Sequence, residues 1–252
     1  MISFFVFIIG SIFGSFFNVL VYRLPLEQDV ILKPSACPNC KELIPWKNNI
    51  PILSYIILKG KCSSCKEKIN ISYPIVETLI AINFLINYLI FGLSLSFIFS
   101  TLFTSSLILI FMTDFKHFLI FDVITLPLSA VGVIASLINI NPYETNFINS
   151  VVGGLTGYVI IFFIRWIYFK IRKVEGMGLG DAKLFLMLGT WLGIHSLLFI
   201  LLISSVLGSI IGIAIIVFNK KGRDTQIPYG CFIVIAAFAY IFVGEWFYNS
   251  LF

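Results

Sequence analysis

Long apolar runs separated by short polar breaks make up most of the chain. They fall at approximately 2–22, 74–91, 97–113, 122–140, 148–169, 182–194, 197–218 and 228–249. A membrane-spanning helix needs roughly 20 apolar residues, and somewhat shorter runs can still cross. The pattern therefore predicts an all-α polytopic membrane protein with about eight transmembrane helices. The sixth run is short and is the weakest candidate for a span. Within the runs, small residues recur four apart: Gly10 and Gly14, Gly153 and Gly157, Gly208 and Gly212. That spacing predicts close helix packing in lipid. Pro25, after Tyr22-Arg23-Leu24, predicts the stop of the first helix. Pro74 falls in the first turn of the second, where proline is tolerated.

Composition agrees with the pattern. The chain of 252 residues is 59% hydrophobic and 12% charged, which excludes an ordinary soluble domain. The first run has no basic segment before it and no small-residue cleavage site after it. It is therefore expected to stay as a helix rather than be removed as a signal peptide.

Charge orients the bundle. If the segment after the first helix is cytoplasmic, so are Arg23, Lys33, Lys41, Lys47, Lys59, Lys61, Lys66 and Lys68. Lys116, Lys170, Arg172, Lys173, Lys220, Lys221 and Arg223 then lie on that side too, with Arg165 and Lys183 a few residues from it. The opposite loops, 92–96, 141–147 and 195–196, carry no Lys or Arg, so all 17 positive residues favour one orientation. Both termini are then outside. The net charge of +5 is accounted for in this way and gives no reason to expect a nucleic-acid partner.

Residues 23–73 are the one sizeable polar segment, and about fifty residues need a staple to hold a core. Cys37-Pro38-Asn39-Cys40 and Cys62-Ser63-Ser64-Cys65 supply it, with 21 residues between them. Two such pairs can close a tetrahedral Zn2+ site, although this gap is slightly longer than the usual ribbon spacing. A cytoplasmic location argues against stable disulfides, and a redox dithiol is the alternative. Four thiolates leave no open coordination position, so the metal is expected to be structural. The expected division is a first transmembrane helix (1–22), a small zinc-ribbon-like cytoplasmic domain holding the four cysteines (23–73) and a transmembrane catalytic domain (74–252). Cys231, inside an apolar run, reads as a small buried residue.

Carboxylates are scarce, and two of them close apolar runs. Asp114 follows Phe111-Met112-Thr113. Asp181 follows Gly176-Met177-Gly178-Leu179-Gly180 and precedes Ala182-Lys183. An acid at the mouth of a spanning helix is costly to keep there and reads first as functional. The glycines before Asp181 would let other chain segments approach closely. Two such acids on one side of a membrane suggest an acid/base pair. Asp122 reads as the N-cap of the fourth helix. Glu77 either compensates a helix dipole or faces substrate. Lys183 and Lys116 are near the acids and fit positive-inside anchoring. His117 and His195 are isolated and form no metal pattern.

The order of these motifs resembles the type IV prepilin peptidases, the bacterial branch of the GxGD intramembrane aspartyl proteases. The resemblance runs nearly end to end. It rests on Gly14-Ser15-Phe16-Phe17-Asn18-Val19 with Tyr22-Arg23-Leu24-Pro25, and on the double Cys-x-x-Cys. It continues through Pro51-Ile52-Leu53-Ser54-Tyr55 and Tyr73-Pro74-Ile75-Val76-Glu77. Asp114 with Asp122, the segment Gly176 to Lys183, and Ile227-Pro228-Tyr229-Gly230 complete it. It implies a bacterial inner-membrane enzyme that cuts the basic leader of prepilins or pseudopilins after a Gly, at the cytoplasmic face. It implies that Asp114 and Asp181 are catalytic, with Gly178, Gly180, Lys183 and Asp122 in the active-site loops. In many members the new N-terminus is then methylated from S-adenosylmethionine. Two departures stand out: Phe121 and Cys231 occupy positions where the family often has proline. The rival reading is a proton- or cation-coupled transporter using intramembrane aspartates. It would favour acids near the midplane and an internal repeat, and neither is visible here.

Overall fold

The computed structural model describes residues 1–30, 33–173, 177–219 and 227–251; for 216, 219 and 245–251 it describes the backbone alone. Gly176, Lys220, Lys221 and Arg223 of the sequence reading lie outside the described residues. Among the described residues all long elements are helices, and two isolated antiparallel bridges, Ala36 with Leu43 and Lys61 with Lys68, are the extended pairing. The helices are α1 (Ile2–Arg23), α2 (Leu53–Ile57), α3 (Ser72–Phe91), α4 (Leu95–His117), α5 (Asp122–Leu137), α6 (Phe147–Arg172), α7 (Leu179–Leu192), α8 (Ile194–Asn219) and α9 (Tyr229–Leu251).

Each apolar run of the sequence lies mainly in one helix. Among the described residues, five stretches are long and apolar enough to cross a membrane: Ile2–Leu26, Ser72–Phe91, Leu95–His117, Phe147–Arg172 and Ile194–Ile215. Asp122–Leu137 and Tyr229–Gly244 are apolar but shorter. With 14 residues, α7 is about 21 Å long, less than a bilayer's hydrocarbon core. Length and composition therefore establish a multi-pass protein with five span-length helices.

The chain divides into two compact units, Met1–Phe97 and Ile98–Phe252. In the first, α1 lies against α3 through its small residues. A Cβ added at Gly10 would sit 2.8 Å from Ala81 Cα, and one at Gly14 would sit 2.6 Å from Glu77 Cα. The close packing expected from that spacing is therefore present, backbone against backbone. Asn18 Nδ2 donates to Tyr73 O at 3.0 Å. The buried Arg23 guanidinium donates to three carbonyls, of Asp29 (3.0 Å), Lys33 (2.7 Å) and Pro34 (3.0 Å). It thereby pins the start of the polar segment to the end of α1.

In the second unit α7 is the central element. Ten of its 14 residues are buried, because it packs against α5, α6, α8 and α9. An apolar helix surrounded by other helices needs no lipid-facing stripe. That explains how the weakest of the eight runs becomes the core. Trp191 stacks on Phe103 with ring centroids 4.7 Å apart. Its Nε1 donates to Leu128 O at 2.8 Å. Gly153 of α6 meets Gly189 of α7 so closely that a Cβ at Gly189 would lie 2.2 Å from Gly153 O.

Candidate active site

The second unit holds both acids that the sequence singles out. Asp114 lies in the last turn of α4 and Asp181 in the first turn of α7, and both are buried, at 5% and 7% exposure. Ile120, on the link between α4 and α5, sits between the segments that carry them. A Cβ added at Gly180 would lie 2.9 Å from Ile120 Cβ. One added at Gly230, at the start of α9, would lie 2.9 Å from Ile120 Cδ1 and 2.9 Å from Asp114 Oδ2. The sequence places the two acids only at helix mouths; the fold sets Gly180, next to Asp181, and Gly230, against the Asp114 carboxylate, on one isoleucine.

Each carboxylate has one oxygen anchored to the backbone at a helix start. Asp181 Oδ2 accepts the N–H of Gly178, the N-cap of α7, at 3.2 Å. This is the returning half of a capping box, made by the residue at N3. Asp114 Oδ2 accepts the N–H of Cys231, in the first turn of α9, at 2.9 Å. Neither bond is visible in the sequence. The first is a local capping pattern with glycine where Ser or Thr would signal it, and the second joins residues 117 positions apart.

Asp122 is not the N-cap expected of it. Phe121 occupies that position, no side chain caps the helix, and Asp122 is its first residue. Its Oδ2 instead pairs with Lys183 Nζ at 2.5 Å. The pair ties the start of α5 to the start of α7, beside the Gly178–Asp181 turn. Asp122 is half exposed, so the pair contributes little to stability, on the order of 1 kcal/mol or less. Arg165 of α6 donates from Nε to Met177 O at 3.0 Å, steadying the approach to that same turn. In the sequence Arg165 is only one of the positive-inside charges.

In the first unit the thiol sulfurs of Cys37, Cys40, Cys62 and Cys65 all lie within 4.8 Å of one another and can hold a metal ion. They sit on two loops of the same build. Cys37 N–H bonds Glu42 O and Lys41 N–H bonds Cys37 O; Cys62 N–H bonds Glu67 O and Lys66 N–H bonds Cys62 O. Lys41 and Lys66 both take φ +61°. The signal is present in the sequence: Cys-x-x-Cys-Lys-Glu occurs twice. Backbone N–H groups of Cys65 and Ser64 bring the Cys62 thiol down to about 7. The Glu67 N–H lowers Cys65, but desolvation and the neighbouring thiols outweigh it and push it up to about 11. Thiols this close therefore do not all ionise without a cation among them.

Glu77, read from the sequence as a dipole compensator or a substrate contact, has a backbone partner. It is buried, and its Oε2 accepts the N–H of Ile52 at 2.7 Å. Ile52 has φ +61° and ψ −51°, a backbone conformation costly for a β-branched residue. The carboxylate thus helps hold a strained turn of the polar segment against α3.

Residues 8–91 match the model of the bacterial peptidase A24 N-terminal domain, and residues 101–213 match that of the type IV leader peptidase family. The chain belongs to the type IV leader peptidase family. A prepilin leader peptidase/N-methyltransferase of Legionella pneumophila is 35% identical over 92% of this chain and 88% of that protein. One of Pseudomonas aeruginosa is 34% identical over 94% and 89%, and one of Pseudomonas putida 31% identical over 96% and 91%. No solved structure matches. The two family segments fall one in each compact unit, the thiol cluster in the first and the aspartates in the second. Nothing in these matches supports the transporter alternative.

Proposed function

We propose that this leader peptidase cuts prepilins or pseudopilins at the cytoplasmic membrane face, with Asp114 and Asp181 as its catalytic pair. The observation that carries the reading is a pair of buried carboxylates in one unit, carried by segments that both pack on Ile120 and each with one oxygen tied to a helix start. Two carboxylates so placed share a proton. The ionised one takes a proton from a water that attacks the scissile carbonyl. The protonated one hydrogen-bonds the carbonyl oxygen and then helps protonate the leaving amine. The roles belong to the pair until one is assigned at each step. Gly178 and Gly180 shape the Asp181 turn, and the Lys183–Asp122 pair borders it. A substrate whose apolar helix stays in the bilayer and whose basic leader stays in the cytosol would present its Gly junction at this depth.

The remaining parts follow the same reading. We take all eight apolar helices as spans, the shorter ones shielded by neighbours, and the Lys- and Arg-rich side as cytoplasmic. By role, 1–22 is the first helix, 23–73 a metal-binding domain built on the four cysteines and 74–252 the peptidase domain. The metal is Zn2+. With Zn–S bonds of about 2.3 Å, tetrahedral geometry sets sulfurs about 3.8 Å apart. Cys37 Sγ and Cys65 Sγ are 3.9 Å apart. All four ligands would hold the ion structurally and bind the two loops together.

Methylation of the new N-terminus is the second activity carried in the relatives' names, and S-adenosylmethionine would be its donor. A cavity of about 150 Å³ between α6, α7 and α8 is lined by Thr156, Ile160, Phe185, Ile194, Leu197, Leu198 and Leu201. That apolar lining does not fit a charged sulfonium nucleotide. Mass spectrometry of a co-expressed prepilin N-terminus tests the whole reading. Cleavage after Gly is the expected result, and an added mass of about 14 Da, a methyl in place of a hydrogen, would reveal the second step. An intact leader would refute the proposal.

A further inference from the structure

We propose that Gly230 is a positioning residue for Asp114, a notch in the first turn of α9 that seats the carboxylate. The inference rests on Asp114 being catalytic. The notch is defined by what a side chain there would meet. A Cβ at Gly230 would lie 2.9 Å from Asp114 Oδ2 and 3.0 Å from its Cγ, and 2.9 Å from Ile120 Cδ1. These atoms are ends of side chains. A methyl group at 230 would therefore displace the carboxylate by rotation and leave the helices where they are. That contrasts with glycines such as Gly189, whose added Cβ would strike backbone.

Four hydrogen bonds fix the start of α9 beside the acid. Cys231 N–H donates to Asp114 Oδ2 at 2.9 Å. Cys231 Sγ donates to Phe111 O of α4 at 3.4 Å, one turn before Asp114. The Tyr229 hydroxyl shares hydrogen bonds with Ser204 and Ser205 of α8, at 3.0 and 3.3 Å. The start of α9 is thus held to both α4 and α8, and the missing side chain at 230 lets Asp114 reach its N–H. Asp181 is held in the same manner by Gly178 N–H. Each acid keeps one oxygen fixed by a backbone donor at a helix start, Gly178 itself or Cys231 next to Gly230.

The test compares Gly230→Ala, Gly208→Ala and Asp114→Ala in the full-length purified enzyme, by steady-state prepilin cleavage and thermal unfolding. Gly208 is the control on the α8–α9 contact: its added Cβ would meet Phe232 and Tyr229 at ordinary distances of 3.4 and 3.5 Å. Gly230→Ala is expected to lower kcat by about 10–100-fold, as for a misplaced catalytic group, with KM within about twofold and unfolding temperature unchanged. Wild-type kcat in Gly230→Ala with an inactive Asp114→Ala would overturn the inference and leave the catalytic reading standing. Activity lost in proportion to unfolding temperature would also overturn it, because the role would then be structural. Full activity of Asp114→Ala would refute the catalytic reading itself.

Discussion

Replacing Gly189 with alanine should both loosen the second unit and disturb its acids. The new methyl carbon would fall 2.2 Å from Gly153 O, 2.4 Å from Gly153 C and 2.7 Å from Gly154 N. All three are backbone atoms of α6, so no side-chain rotation relieves the contact. Non-bonded carbon atoms rest at about 3.5–4.0 Å, so α6 and α7 must part by on the order of 1 Å. Overpacking of this kind costs about 1–3 kcal/mol, and a backbone clash belongs at the upper end. The shift travels along α7, which begins two residues before Asp181. A displacement near 1 Å at a catalytic group costs about 100-fold in rate. Thermal unfolding of the purified protein in detergent, with prepilin cleavage on the same preparation, reads both effects. Gly208→Ala gives the baseline for adding a methyl at an uncrowded helix contact. If Gly189→Ala unfolds and cleaves like Gly208→Ala, the backbone contact of α6 and α7 is not what holds Asp181 in place.

Other outcomes follow from the same contacts. The purified protein should carry one zinc per chain by elemental analysis, and Cys40→Ser should lose it together with protease resistance of 33–73; a metal-free, equally resistant wild type would dismiss the structural ion. In chelator-treated protein at pH 7, maleimide should label Cys62 before Cys65. Backbone donors hold the Cys62 thiol down while its neighbours push Cys65 up, so the preference should fade as pH rises. Equal labelling rates would contradict the assigned asymmetry. Lys183→Ala frees the exposed Asp122 and should shift stability by about 1 kcal/mol or less. A large loss of folded protein would show that the pair is a structural anchor after all.

Much of this is readable from the chain. The apolar runs set the helices, and the glycines four apart on α1 and α6 mark close contacts that the fold contains. The four cysteines find one another because their spacing is local and repeated. What the sequence hides depends on contacts between distant segments. The role of α7 as a core helix cannot be read from its 14 residues, because burial comes from α5, α6, α8 and α9 around it. Asp122 looks like a cap because its residue type and position suit one, yet Lys183, 61 positions away, takes its carboxylate. Glu77 reads as a dipole compensator or a substrate contact because Ile52, whose N–H it binds, precedes it by 25 residues in an unusual turn. The anchoring of Asp114 by Cys231 has no local trace at all.

The central claim is that Asp114 and Asp181 act as one unit on a prepilin. Its most direct test is single-turnover cleavage of a purified prepilin by Asp114→Ala, Asp181→Ala and the double variant, each confirmed folded in the membrane. The account predicts that either single change abolishes leader removal and that the double change adds nothing further. Substantial cleavage by either single variant would contradict it.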